Sequence, residues 1–228
     1  MSIYSEFLKE GDLAFDIGAY VGSRTDEFLK LGCRVVALEP VEEYAWRLIK
    51  KYQGLPVHVM LFAAGAKHGE GCLWLHKSQW PNGTPMDSAL SSMSPEWISS
   101  VEQHPEWDLK ASDWKEYKIV PMTTLDNLIW TFGEPQFVKI DVEGWEREVI
   151  KGLSHPIKAL SFEFHSTLHM DWTEQVIDHL LKLGNYEFNY DLEDKLQLVS
   201  PTWLTKSELM WHILDKDIYG DIFARRIG

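Results

Sequence analysis

The sequence is poor in the features that mark secreted, membrane-spanning or nucleic-acid-binding chains. It has two cysteines in 228 residues. Cys33 and Cys72 form no Cys-x-x-Cys pair, so neither a disulfide framework nor a cysteine zinc site is expected. No apolar run reaches the ~20 residues of a transmembrane helix. The stretch Met1-Ser2-Ile3-Tyr4-Ser5-Glu6-Phe7 lacks the basic and apolar regions of a signal peptide, so a soluble, cytoplasmic protein is expected. Basic residues are scarce, 22 Lys and Arg against 35 Asp and Glu, for a net charge of −13 and a pI of 5.1. Without a basic face the chain has little to offer a phosphate backbone or an anionic bilayer, so neither nucleic acid nor membrane is expected as a partner.

The first turn lacks one more thing, the third glycine of a dinucleotide fingerprint. Leu13-Ala14-Phe15-Asp16-Ile17 reads as a buried strand, and Gly18 and Gly22 then turn the chain into a helix. Dinucleotide sites use G-x-G-x-x-G. Here the spacing is D-x-G-x-x-x-G, with Ala19 and Tyr20 after the first glycine. That junction suits a ligand with an amino group and hydroxyls better than a pyrophosphate, which is the pattern of S-adenosylmethionine binding.

What is present beyond this is strand–helix alternation. Arg34–Leu38 is a second apolar strand, Val41–Tyr52 a helix and 57–62 a third strand. Phe137–Asp141, Ala159–His165, Tyr186–Asn189, 196–199 and Ile222–Arg225 read as later strands. Thr124–Trp130, Trp145–Leu153, Thr173–Leu183 and Ser207–Leu214 read as helices. The alternation predicts one α/β domain with a parallel sheet and right-handed crossovers. The rhythm breaks over Trp80–Lys118, a polar, Trp-rich insertion. Within it Ser94-Pro95-Glu96 has the order of an N-cap followed by a first-turn proline.

Two acids stand at strand ends, where open α/β sheets bind ligands. Glu39 follows the second strand, about 20 residues past the first turn, the position that binds ribose hydroxyls. Asp141 ends the FVKID strand, with Glu143 and Gly144 in the turn beyond. Glu146 and Glu148 lie in the next helix start, where the dipole favours carboxylates for ordinary capping reasons.

Asp16-Ile17-Gly18, Glu39-Pro40, Ala63-Ala64, Thr124-Leu125-Asp126 and Lys139-Ile140-Asp141-Val142-Glu143-Gly144 occur in an order and spacing that resemble the FkbM family of S-adenosylmethionine-dependent methyltransferases. Ser88–Ser92 is similar to a serine-containing stretch of that family. Trp145 departs from the small residue the family carries after that glycine, and it is expected to narrow the acceptor pocket or to pack on the sheet. The resemblance implies a Rossmann-like class I methyltransferase fold, with a seven-stranded, mostly parallel sheet, helices on both faces and an insertion after the third strand. It also implies O-methylation of a sugar, glycan or small secondary metabolite. Asp16, Gly18, Tyr20 and Gly22 would shape the methionine pocket. Glu39 and Pro40 would sit at the ribose, Ala63 and Ala64 beside adenine, and Asp141 near the sulfonium. Glu143, Trp145, Trp80, Ser91 and Ser92 are the expected acceptor contacts.

Methyl transfer to a hydroxyl needs alignment and a base for its proton. Asp141, Glu163 and His165 are the candidates, the last two sharing one face of a strand. The i,i+4 pair His165 and His169 lacks the acid of H-E-x-x-H, and no zinc is expected there. Asp141, Glu143, Glu163 and His165 have the chemistry to hold Mg²⁺, but no obligatory metal is expected. Trp80, Trp97, Trp107 and Trp114 either close over an acceptor as a lid or anchor an insertion that has no core of its own. The rival classes are a nucleotide-dependent oxidoreductase and an inactive cofactor-binding scaffold.

Overall fold

The structure, a computed structural model, describes residues 2–79, 85–86, 88–104, 109–193, 195–214 and 216–228. Trp80 and Trp107, two of the expected acceptor rings, lie outside the described residues.

In chain order the strands are β1 (Leu13–Ile17), β2 (Arg34–Leu38), β3 (Val57–Met60), β4 (Ala63–Ala64), β5 (Gly69–Leu75), β6 (Ser78–Gln79), β7 (Pro85–Met86), β8 (Glu116–Thr123), β9 (Phe137–Ile140), β10 (Ala159–His165), β11 (Tyr186–Tyr190) and β12 (Tyr219–Arg226). The α-helices are α1 (Ser23–Lys30), α2 (Glu42–Lys51), α3 (Pro95–Gln103), α4 (Leu125–Phe132), α5 (Glu146–Lys151), α6 (Met170–Leu183) and α7 (Lys206–Ile213). Seven strands form the main sheet in the order β11-β12-β10-β9-β1-β2-β3. β3, β2, β1, β9 and β10 run parallel, and β12 is antiparallel to both its neighbours. This is the parallel α/β sheet that the alternation predicts, in the seven-stranded, mostly parallel Rossmann-like form that the family resemblance implies. The expected strand over 196–199 does not form; Leu196 N–H is tied to Asp191 and Val199 N–H to the Tyr190 carbonyl, and Leu196 and Leu198 pack on the core.

Alternation within the strands supplies two cores on opposite faces. Phe15, Ile17, Val36, Leu38, Val138, Ile140 and Phe162 face α4, α5, α6 and α7, through Leu125, Val149, Val176 and Leu209. Ala14, Val35, Phe137, Ala159 and Phe223 face the N-terminal turn and α1, through Tyr4 and Phe28. Both faces are buried, which is why β1 and β9 read as continuous apolar runs broken only by Asp16 and Lys139.

The insertion is more ordered than a polar loop. A second sheet, β4-β8-β5, extends from its base. α3 begins as its sequence predicts, with Ser94 Oγ accepting from Trp97 N–H and Pro95 in the first turn. Trp97, Ile98, Val101 and Trp114 form a small core with Trp74, Leu90, Leu168 and Trp172 packed against it. Trp97 and Trp114 therefore anchor the insertion, and the lack of a core assumed for it is corrected. No helix among the described residues is long and apolar enough to cross a membrane.

Candidate active site

The register of the parallel strands brings the acidic residues to one level. Ile17 pairs with Leu38 and with Ile140, so Gly18, Glu39 and Asp141 emerge side by side at the carboxyl ends. Backbone bonds continue past the strands, Gly18 N–H to Leu38 O and Asp141 N–H to Ile17 O. Gly18 has φ +87, and a Cβ there would stand 1.8 Å from the Asp141 carbonyl oxygen. Only glycine lets the first turn lie this close to the end of β9.

A cleft opens above this edge, enclosing about 580 Å³ with its open mouth counted. That is a volume suited to a nucleoside-sized ligand. Tyr20, Glu39, Pro40, Ala63, Ala64 and Asp141 line it, together with Gly18, as the motif reading expects. Glu39 is buried, and both its oxygens accept backbone N–H groups, from Val41 at 2.7 Å and Tyr20 at 2.8 Å. Burial outweighs these bonds and pushes its pKa up to about 7. Leu38, Val41, Tyr44, Phe62 and Leu73 supply apolar walls.

Two expected cofactor contacts are not on that wall. Asp16 points to the α1 face, where Thr25 Oγ1 donates to it at 2.6 Å, and burial raises its pKa. The strand alternation explains this, since Ile17 and not Asp16 shares the cleft side. Gly22 lies under α2; a Cβ there would meet the Tyr52 hydroxyl at 2.1 Å.

Trp145 and Ser91, expected to touch the acceptor, also line this cleft. The Trp145 indole N–H is buried with no partner among the described residues. Ser92 is buried instead, its hydroxyl donating to the Glu143 carbonyl at 2.6 Å and accepting from Ser94 N–H.

A second cavity, about 860 Å³ with its open mouth counted in the same way, adjoins the first. Glu143 belongs to the walls of both. It sits in the left-handed region, φ +53, followed by Gly144 at φ +81. A Cβ on Gly144 would meet the Trp97 side chain at 2.3 Å, so α3 rests directly on this turn. The second cavity is walled by Glu146, Glu163 and His165 and by Trp97, Phe162, Phe164 and Tyr219. Trp97 is the one residue by which the sequence's Trp argument reaches a cavity in the described insertion.

The carboxylate oxygens of Asp141, Glu143 and Glu163 lie within 4.8 Å of one another. Burial and their mutual repulsion hold the carboxyls of Glu143 and Glu163 well above the usual range. Glu146, read as a helix-capping acid, is part of this group: its pKa is pushed up to about 7 by burial, although it accepts the Val142 N–H at 3.1 Å. His165 does not join these acids, contrary to the four-residue grouping expected for Mg²⁺. Its donor atom groups with those of His104 and Asp217, it stacks on Tyr219, and burial, then His104, lowers its pKa.

The sequence reading also passed over Lys139. Its ammonium is buried between Asp221 at 2.7 Å and Asp141 at 3.2 Å. Burial opposes the charge, but the two carboxylates outweigh it and raise the pKa well above the lysine range. A lysine inside an apolar strand was the signal available, because a buried charge requires a partner. Lys139 thereby fixes one oxygen of Asp141 and supplies the cation against which the acidic edge is built.

A family profile described as the methyltransferase FkbM domain matches residues 16–191, well over half the chain. No curated protein matches. Among solved structures, a precorrin-6y C5,15-methyltransferase from Geobacter metallireducens GS-15 aligns over 99% of this chain and 86% of its own, at 13% identity and a TM-score of 0.48. A TehB-like SAM-dependent methyltransferase from Corynebacterium glutamicum aligns over 98% and 85%, at 6% identity and 0.45. An rRNA methylase from Streptococcus thermophilus aligns over 99% and 93%, at 10% identity and 0.42.

Proposed function

Because the chain belongs to the FkbM methyltransferase family, we propose that it transfers a methyl group from S-adenosylmethionine to a hydroxyl of a sugar, glycan or small secondary metabolite. Family and fold support S-adenosylmethionine-dependent methylation. The acceptor class rests on the chemistry of the second cavity.

The observation that carries the reading is the pair of cavities meeting at Glu143. The first fits the cofactor. Gly18 lets the first turn close against the end of β9, Glu39 presents a buried carboxylate with lone pairs left for hydroxyls, and the Trp145 N–H is buried with no partner among the described residues. When bound there, the cofactor supplies an electrophilic methyl group. The protein's part is positioning and proton removal. Asp141, held by Lys139, stands on the cofactor side, and Glu163 on the acceptor side. Glu163, on the wall of the second cavity beside Glu143 and Asp141, is the carboxyl placed to take the hydroxyl proton. Aromatic faces beside carboxylates suit a polyhydroxylated ring, whose C–H faces pack on the rings while its hydroxyls meet the acids. The acidic walls disfavour phosphorylated acceptors.

The test is transfer of labelled methyl from S-adenosylmethionine to fractionated glycans and small metabolites. Label in a polyol fraction is the expected result. Label only in nucleic acid or protein, or binding of NAD in place of S-adenosylmethionine by calorimetry, overturns it.

A further inference from the structure

Beside the second cavity stands a group of side chains separate from the Asp141, Glu143 and Glu163 cluster. His104 follows α3, His165 ends β10, and Asp217 lies just before β12. Three separate parts of the chain thus deliver two imidazoles and a carboxylate to one point. Each offers a ligand atom, and all three atoms lie within 4.8 Å of one another.

The point of convergence is marked by the Thr167 hydroxyl. Its Oγ1 is 3.0 Å from His165 Nδ1, 3.4 Å from His104 Nε2 and 3.4 Å from Asp217 Oδ1. The hydroxyl's one proton and two lone pairs are shared among the two ring nitrogens and the carboxylate at this point. His169 is committed elsewhere, with Nε2 2.6 Å from Ser100 Oγ and its ring stacked on Trp172.

We propose that His104, His165 and Asp217 form a binding site for a divalent transition metal, Zn²⁺ by preference. Two imidazoles and one carboxylate are a borderline donor set. Three protein ligands are the pattern of zinc sites that keep a fourth position open. Ligand atoms about 2.0–2.1 Å from a tetrahedral ion stand about 3.3 Å apart. Rotation of the exposed Asp217 side chain supplies the closure. Hard cations are directed elsewhere, since they prefer all-oxygen donors. The adjoining surface pocket, walled by Ser100, Gln103, His104, Thr167 and Asp217, gives an ion access from solvent. His165 and Glu163 share a strand face two residues apart, about 7 Å along the strand, so the ion would sit at the outer end of the acceptor cavity.

The experiment titrates Co²⁺, then Zn²⁺ in competition, into the tag-free full-length chain and follows the visible absorption of bound cobalt. One ion per chain is expected, displaced by zinc. His104→Ala, His165→Ala and Asp217→Asn should each weaken binding at least tenfold. Thr167→Ala should bind as tightly as the parent or more so. Thermal melting and S-adenosylmethionine calorimetry check that each variant is folded; the surface substitution Asp217→Asn keeps the test available if a histidine variant is not. Binding that survives all three substitutions, binding lost instead in Glu143→Gln, or no cobalt spectrum at all would overturn the proposal. The readout is metal binding, so it can fail while the methyltransferase reading stands, and the reverse.

Discussion

The two cavities that share Glu143 are built on opposite electrostatic plans. In the cofactor cleft the acids are already held by protein groups. Glu39 accepts two backbone N–H groups, and Asp141 leans on the Lys139 ammonium. In the second cavity Glu143 and Glu163 face one another with no hydrogen bond to either carboxylate among the described residues, and burial raises both. The first is a preformed mould whose acids are fixed before a ligand arrives. The second holds carboxyls that a ligand's hydroxyls would satisfy. Preorganisation on one side and unspent acceptor capacity on the other suit an invariant cofactor and a polyol partner.

The contrast is broken most directly at Glu163. Glu163→Gln should lower methyl transfer by about 10²–10⁴-fold, the usual contribution of a general base, with S-adenosylmethionine affinity unchanged by calorimetry. Equal loss of both would show that the cavities do not act separately.

A second test uses pH. Glu39 and Glu146 have folded pKa values near 7, and Asp221 near 6, all raised chiefly by burial. A raised carboxyl binds its proton more tightly folded than unfolded, so its contribution to stability is greatest at low pH and falls as pH rises from about 4.5 through about 7. The Glu39 shift alone is worth on the order of 3 kcal/mol. The melting temperature should therefore decline between pH 5 and pH 7.5. Glu39→Gln should flatten the decline, though it forfeits one of two backbone hydrogen bonds. A melting temperature that rises across this window would contradict the burial argument.

Glu39→Ala should weaken S-adenosylmethionine binding by about 1–3 kcal/mol, the scale of charge-assisted hydrogen bonds. An unchanged affinity removes Glu39 from the ribose position. The smallest effect is expected at Trp145→Phe. Loss of the indole N–H should cost cofactor affinity by about 1 kcal/mol, or roughly fivefold, with little change in acceptor KM. A change in acceptor KM alone would return Trp145 to the acceptor side, where its departure from the family pattern first suggested it.

Much of the cofactor side was legible in sequence because strand ends and glycine spacing are local. Gly18, Glu39 and Asp141 follow from where apolar strands stop, while Pro40, Ala63 and Ala64 came with the family resemblance. Asp16 was misplaced because one strand position flips a side chain to the other face, and its Thr25 partner lies a turn into α1. The second cavity was less legible. Its walls come from α3, β10, α5 and α6, elements brought together only by tertiary packing. Glu146 resembled a capping acid because capping and cavity lining draw on the same residue at a helix start. The insertion's Trp residues were ambiguous for a related reason: the same ring buries itself as an anchor and presents an edge to a cavity, as Trp97 does.

The contact of Trp97 on Gly144 and the bond from Ser92 to the Glu143 carbonyl have a consequence for inheritance. The insertion grips the very peptide that aims Glu143, at two points on either side of its left-handed turn. Insertion and turn therefore form a single unit of variation. A relative that exchanged this segment for another, while keeping Glu143 and Gly144, would lose the grip as well as the cavity wall. Grafting a new acceptor preference onto this scaffold means moving Ser92, Trp97 and the glycine beneath it together.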